Sequence, residues 1–224
     1  MSPRSVRSCT AALLALGALA CAKSGDAPTS TADATRATYD GVFATGAKSG
    51  IVQLTTGTPA TGTLTMTGGA TVPLTGSYDA KASTFAVSGG GYSITAAVSR
   101  TQELTGALWG ASSATSGVLA AYRLNQAAPS LKVCGTFAGS MAGTLNAVVS
   151  GTSVLAIAVD GAGNGMTASG TLNGSAITFD WLPLGYVPSN VTGTATGVLT
   201  GPSSGAGTWS MTNGQHGTWT AAGC

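Results

Sequence analysis

Gly205-Ala206-Gly207-Thr208-Trp209-Ser210-Met211-Thr212-Asn213-Gly214-Gln215-His216-Gly217-Thr218-Trp219-Thr220 holds two alternating runs on either side of an Asn-Gly pair. A period of two puts successive side chains on opposite faces of a strand, so Trp209 and Trp219 point into a core while Thr208 and Thr218 face water. Asn-Gly between two such runs marks a hairpin, and the positive φ angles of a type I′ turn suit those residues. The glycine two places before each tryptophan shares its inward face, where a missing Cβ permits tight coiling.

The same three-residue unit, Gly followed by Thr, Val or Ala and then a large apolar residue, recurs at Gly62-Thr63-Leu64, Gly106-Ala107-Leu108, Gly117-Val118-Leu119, Gly143-Thr144-Leu145 and Gly197-Val198-Leu199. Further short runs, Ile51 to Thr55, Tyr92 to Val98, Val154 to Val159 and Ala176 to Phe179, are bounded by Gly, Asn, Asp, Ser or Pro. No segment from Thr38 onward keeps the i, i+3, i+4 apolar spacing of a helix. The expected fold class is all-β, an antiparallel meander. The pattern is also written twice. Gly41-Val42-Phe43-Ala44 matches Gly135-Thr136-Phe137-Ala138, and Gly76-Ser77-Tyr78-Asp79 matches Gly170-Thr171-Leu172-Asn173 at the same offset. Repeats of this kind predict two tandem domains, small barrels or sandwiches of seven or eight strands each, over 38–125 and 131–224.

Composition narrows the function. Charged residues make up 7% of the 224 residues, against about 25% in an ordinary domain. Thr and Gly each number 34, so hydroxyls stand where charges usually do. Nucleic-acid binding needs clustered Lys and Arg to neutralise phosphates, and no such cluster exists. A single histidine and seven carboxylates leave little for metal or acid–base chemistry. No cofactor, metal site or catalytic residue is expected.

The first twenty residues read as an address. Arg4 and Arg7 precede the apolar run Ala11-Ala12-Leu13-Leu14-Ala15-Leu16-Gly17-Ala18-Leu19-Ala20, too short to span a bilayer but suited to a signal peptide over 1–20. Ala18-Leu19-Ala20-Cys21 resembles the lipobox of bacterial lipoproteins, with Ala18 where that family usually has Leu. The resemblance implies cleavage after Ala20 and lipidation of Cys21, with diacylglycerol and palmitate. It also implies an outer-membrane destination, since Ala22 is not the Asp that favours inner-membrane retention. Plain secretion or a periplasmic location is the alternative. Residues 21–37 then form a flexible tether, small, polar and aperiodic. Removing Arg4 and Arg7 leaves seven basic and seven acidic side chains, so the only membrane contact implied is the lipid. With Cys9 removed and Cys21 lipidated, Cys134 and Cys224 remain as an even pair, expected to form a disulfide that ties the first strand of copy two to its last. In copy one, Asp40 occupies the position of Cys134, and an Asp40–Arg123 ion pair is expected to clasp the equivalent seam.

Three strings invite a chemical reading. Gly201-Pro202-Ser203-Ser204-Gly205 has the G-x-S-x-G form, yet that motif works only on a strand-to-helix turn with an acid and a histidine delivered nearby. His216 follows alone, so a hydrolase using Ser203 and His216, or unrecognised carboxylates, is the alternative function. Asp160-Gly161-Ala162-Gly163-Asn164-Gly165 offers one carboxylate where calcium wants six to eight oxygens. Asp180-Trp181-Leu182-Pro183-Leu184-Gly185-Tyr186-Val187-Pro188 reads as an apolar, aromatic loop that copy one lacks. Asp180, Trp181 and Tyr186 are its candidate ligand-binding residues, suited to stacking on a glycan or anchoring an envelope protein partner. The function expected is a non-catalytic binding or structural module of the envelope.

Overall fold

The computed structural model describes residues 36–46, 48–100, 103–109, 116–124, 130–184, 191–202 and 204–224. Eight strands follow one another in the first half: β1 (Thr38–Thr45), β2 (Lys48–Thr55), β3 (Ala60–Met66), β4 (Thr71–Asp79), β5 (Thr84–Gly89), β6 (Tyr92–Val98), β7 (Glu103–Trp109) and β8 (Ser116–Arg123). Each pairs antiparallel with its neighbour, and β8 returns to β1, closing a barrel. The second half repeats the plan with β9 (Ser130–Gly139), β10 (Gly143–Ser150), β11 (Ser153–Asp160), β12 (Gly165–Asn173), β13 (Ala176–Leu184), β14 (Gly193–Leu199), β15 (Gly205–Met211) and β16 (His216–Ala221). There β9 pairs with both β10 and β16, so each repeat closes on itself. Closure leaves neither barrel a free sheet edge.

The opening stretch accounts for the curvature. In the β15–β16 hairpin Trp209 lies opposite Gly217, and Trp219 opposite Gly207. A Cβ on Gly217 would sit 2.8 Å from the Trp209 ring, and one on Gly207 would sit 2.6 Å from the Trp219 indole nitrogen. Each tryptophan thus lies over the glycine of its partner strand, which fixes the register and lets the strands coil. The indole N–H of Trp209 donates to the Ala138 and Thr218 carbonyls, both at 3.2 Å, and that of Trp219 to the Thr196 carbonyl at 3.1 Å. Barrel one uses the same exchange in β7–β8, where Gly106 faces Leu119 and Leu108 faces Gly117.

The turns fall where the sequence places them but are of other classes. At Asn213-Gly214 and Asp160-Gly161 the chain makes a four-residue turn closed by Gly214 N–H to Met211 O and by Gly163 N–H to Asp160 O. Gly214 (φ 87°) and Gly163 (φ 86°) then take the left-handed conformation, while Asn213 does not. At Asn173-Gly174 only Gly174 (φ 61°) is left-handed, so the type I′ expectation fails there too. One glycine per turn suffices for these geometries.

The barrels share an interface. Val42, Ala44 and Ile51 on the outside of β1–β2 pack against Cys134, Val148, Leu155, Ile157 and Val159 on the outside of β9–β11. A polar strip continues it. Ser49 Oγ contacts Thr144 Oγ1 at 2.6 Å and accepts from Asn146 Nδ2 at 2.7 Å, while Thr67 Oγ1 donates to Asn146 Oδ1 at 2.9 Å. Asn146 is fully buried yet has both ends of its amide matched. Asp40, 1% exposed, pairs with Lys132 at 3.2 Å and accepts from Gln53 Nε2 at 2.7 Å. The Asp40–Arg123 clasp is therefore not the arrangement found. Arg123 lies opposite Tyr39, and Asp40 opposite Tyr122, so strand parity turns the two charged groups to different faces. At the matching position of barrel two, Cys134 is joined to Cys224, 90 residues on. One repeat position thus carries a covalent tie within barrel two and an ionic tie between the barrels.

Candidate functional site

Three described turns gather at one end of barrel two: those after β9, β11 and β15. The start of β9 and the Cys134–Cys224 bond lie towards the other end. Beside these three turns the interior holds a cavity of about 60 Å³. Phe137, Leu145, Met166, Trp181, Trp209 and Trp219 form its walls, and Met141 and Met211 stand at its mouth. Each wall residue is placed by period two: Phe137, Leu145, Met166 and Trp209 all occupy inward positions of their strands. Phe137 and Trp209 meet edge to face at 5.9 Å, as do Phe179 and Trp219 at 6.1 Å. The methionine thioethers are soft and can follow the shape of whatever enters.

Asp160 and one end each of the Asn164 and Gln215 amides are engaged at the rim. Asp160 Oδ1 accepts from the backbone N–H of Ala162 (2.9 Å) and Asn164 (2.8 Å), and Oδ2 accepts from Asn164 Nδ2 (2.8 Å). Gln215 Oε1 accepts from Asn213 Nδ2 at 2.9 Å. Of the three wall tryptophans, Trp209 and Trp219 donate their indole N–H groups to backbone carbonyls. An entering group meets methyl, thioether and ring carbon, with its hydration lost and little polar replacement on offer. The lining is predominantly apolar.

The residues singled out from sequence fall in different places. Asp180 and Trp181 are not loop residues. Both belong to β13, and being adjacent they project to opposite faces: Trp181 is 6% exposed and packs near Phe179 (5.9 Å), whereas Asp180 is exposed outside. Pro183 cannot donate to a ladder, yet it lies within the strand. It is accommodated because β14 pairs with β13 only as far as Trp181, leaving Pro183 opposite Met166 of β12 alone. Asp180 lines an outer groove with Thr192, Thr194, Ser210 and Thr212, and Trp181 and Met211 reach this groove as well as the interior cavity. Tyr186 lies outside the described residues, as do Cys21, the signal segment 1–20 and the tether up to residue 35.

Ser203 also lies outside the described residues. Its neighbours Ser204 and Gly205 mark the far end of β15 from His216: Gly205 pairs with Ala221, and Ser210 with His216. Five residues of strand, about 17 Å, separate the two ends. His216 is exposed, with Nδ1 3.1 Å from the Gly214 carbonyl and its backbone N–H donating to Ser140 Oγ. That geometry does not assemble a nucleophile and base. The Asp160 carboxylate is used to shape its own turn, and no group of three metal-ligating side chains occurs among the described residues.

The wall residues Phe137, Met141, Met166 and Met211 were not singled out from sequence. A signal existed in that three of the chain's five methionines fall at strand ends or turns on one side of copy two.

No protein-family model matches the chain, and no curated protein matches it. Among solved structures, the chain is similar to a Trp-176-Ala mutant of the vaccine antigen transferrin binding protein B from Haemophilus parasuis Hp5, at 15% identity and a TM-score of 0.33. The match covers 69% of this chain and 39% of that one.

Proposed function

We propose that the chain is a lipid-anchored protein of the bacterial envelope that binds a partner without catalysing a reaction, and that the cavity end of barrel two is its contact end. The lipobox-like Ala18-Leu19-Ala20-Cys21 supports the anchor, and a Cys134–Cys224 pair suits an oxidising compartment. The observation that carries the binding reading is the open apolar cavity in a barrel otherwise filled to its walls. An interior that served stability alone would be packed to closure. A protein partner fits better than a glycan, because Trp181 is buried within the core cluster and the cavity lining is mainly apolar.

Two measurements test this. Intact mass of the membrane-extracted protein is expected to show diacylglycerol on Cys21, with Cys21→Ser released to the soluble fraction. A mature mass without lipid contradicts the anchor. A photo-crosslinking residue at Thr212, at the cavity end, is expected to trap a partner in cells, whereas one at Asn173, at the opposite end, does not. The reverse pattern removes the cavity end as the contact surface.

A further inference from the structure

The cavity has a size and a chemistry that together name its occupant. A water needs roughly 10–15 Å³ of such volume, so a cavity of about 60 Å³ admits some four to six groups of that size. That is one leucine or phenylalanine side chain, and far short of an acyl chain. Sugars fit poorly on chemistry, since the lining is mainly hydrocarbon, thioether and aromatic ring, and the Asp160 carboxylate at the rim already accepts three hydrogen bonds. Charge excludes acidic ligands. In barrel two Asp160 stands at the mouth and Asp180 on the outer face of β13, while its one lysine, Lys132, pairs with Asp40 towards the other end. The turns at the mouth, 139–143, 160–165 and 211–216, contain no Lys or Arg. A fatty acid carboxylate or a lipid phosphate would meet carboxylates first.

We propose that this cavity takes a single leucine- or phenylalanine-sized side chain from a partner polypeptide, with lysine or arginine rather than acid beside it. The proposal rests on the reading of the cavity end as the contact end, and deepens it by naming the anchor. Such a side chain loses its apolar surface to water-free walls, the usual basis of an interface hot spot. Flanking cations gain from the two carboxylates, an effect of an exposed kind that salt weakens.

The test uses the full chain carrying Cys21→Ser, with indole N–H and methionine methyl resonances as reporters. Four capped peptides are titrated: Gly-Lys-Leu-Lys-Gly, its Phe analogue, its Ala analogue, and Gly-Glu-Leu-Glu-Gly. The Leu and Phe peptides are expected to shift Trp181, Trp209, Trp219, Met166 and Met211 while leaving Trp109 of barrel one unmoved. The Ala peptide is expected to bind at least tenfold more weakly, and the Glu-flanked peptide about threefold to fivefold more weakly at low salt. Ala158→Leu, which adds carbon to the cavity wall, is expected to abolish the shifts. Should that variant not fold, Met141→Ala widens the mouth and is expected to favour Phe over Leu. Shifts that ignore side-chain size, equal binding of Lys- and Glu-flanked peptides, shifts produced only by decyl phosphate, or wall resonances in contact with Tyr186 that no peptide displaces would each overturn the proposal. If the peptides fail while Thr212 still crosslinks a partner in cells, the side-chain anchor falls and the contact end stands. If neither responds, both fall.

Discussion

Phe43 of barrel one and Phe137 of barrel two occupy the same repeat position, on the first strand of each barrel. Phe43 is 0% exposed, among Phe85, Leu54, Leu64, Ile94 and Leu104, each also sealed below 2%. Phe137 is 9% exposed and forms a cavity wall. The closing hairpins differ in residue type at one register: positions 108 and 119, both Leu, pair with glycines in barrel one, and Trp209 and Trp219 do so in barrel two. One strand plan with one glycine register therefore supports two interiors. Barrel one fills its space with small aliphatics and a Tyr39–Phe85–Tyr78 cluster at 5.8 and 4.7 Å. Barrel two uses large rings that brace the wall and leave the end open. The difference teaches that closure is set by backbone register, and the presence of a cavity by which side chains meet above the glycines.

The largest effect expected from breaking this comparison is at the covalent tie. Replacing Cys134 and Cys224 by Ala releases a 90-residue loop and should cost barrel two about 4–5 kcal/mol in the chain-entropy account. Barrel one should retain its unfolding transition, read by denaturant titration with Trp109 as its own probe. Next come reciprocal swaps at the matched pair. Trp219→Leu should cost about 2–4 kcal/mol and enlarge the cavity. Leu119→Trp should cost about 1–3 kcal/mol or more, because the site in barrel one is already full. Equal tolerance of both swaps would mean the two interiors do not differ as described. Asp40→Ala should cost roughly 2 kcal/mol by stripping Lys132 and Gln53 of a charged partner, and should loosen the barrels from one another without opening either. Hydrogen exchange at the β1–β2 and β10–β11 surfaces would register it.

The smallest effect is alkaline. Burial raises the Tyr39 phenol above its usual value, with Tyr78 adding to the rise and Arg123 opposing it, and burial raises Tyr122, with Glu103 adding. A folded-state value above the unfolded one means that folding holds the proton more tightly. The contribution is complete below about pH 10 and is lost as pH rises through the folded-state values. Barrel one holds four of the five tyrosines, so it should weaken above pH 10 before barrel two does. Thermal unfolding followed across that range, with tyrosinate absorbance alongside, checks the order.

Much of this fold was legible. The alternation around Asn213-Gly214 and the matched strings at Gly41 and Gly135 predict two all-β units, because period two and turn chemistry are local. The interface between the barrels was not read, although Val154-Leu155-Ala156-Ile157-Ala158-Val159 carries its trace. A run apolar at every position belongs to a strand buried on both faces, and β11 is such a strand. Which surface covers its outer face depends on a contact some hundred residues away in sequence, which no local pattern records. The site was half legible. Trp181 is a cavity residue, but its pairing with Asp180 in one loop ignored the parity of a strand that extends to Leu184.

The central claim is that barrel two holds a cavity for a small apolar group, whereas the described core of barrel one, around Leu54, Phe85 and Leu104, is filled. Xenon, a single apolar atom, tests it most directly in crystals held under pressure. The account predicts one strong xenon peak among Met166, Trp209, Met211 and Trp219, and none between Leu54, Phe85 and Leu104. Xenon absent from barrel two, or equally present in both barrels, would contradict it.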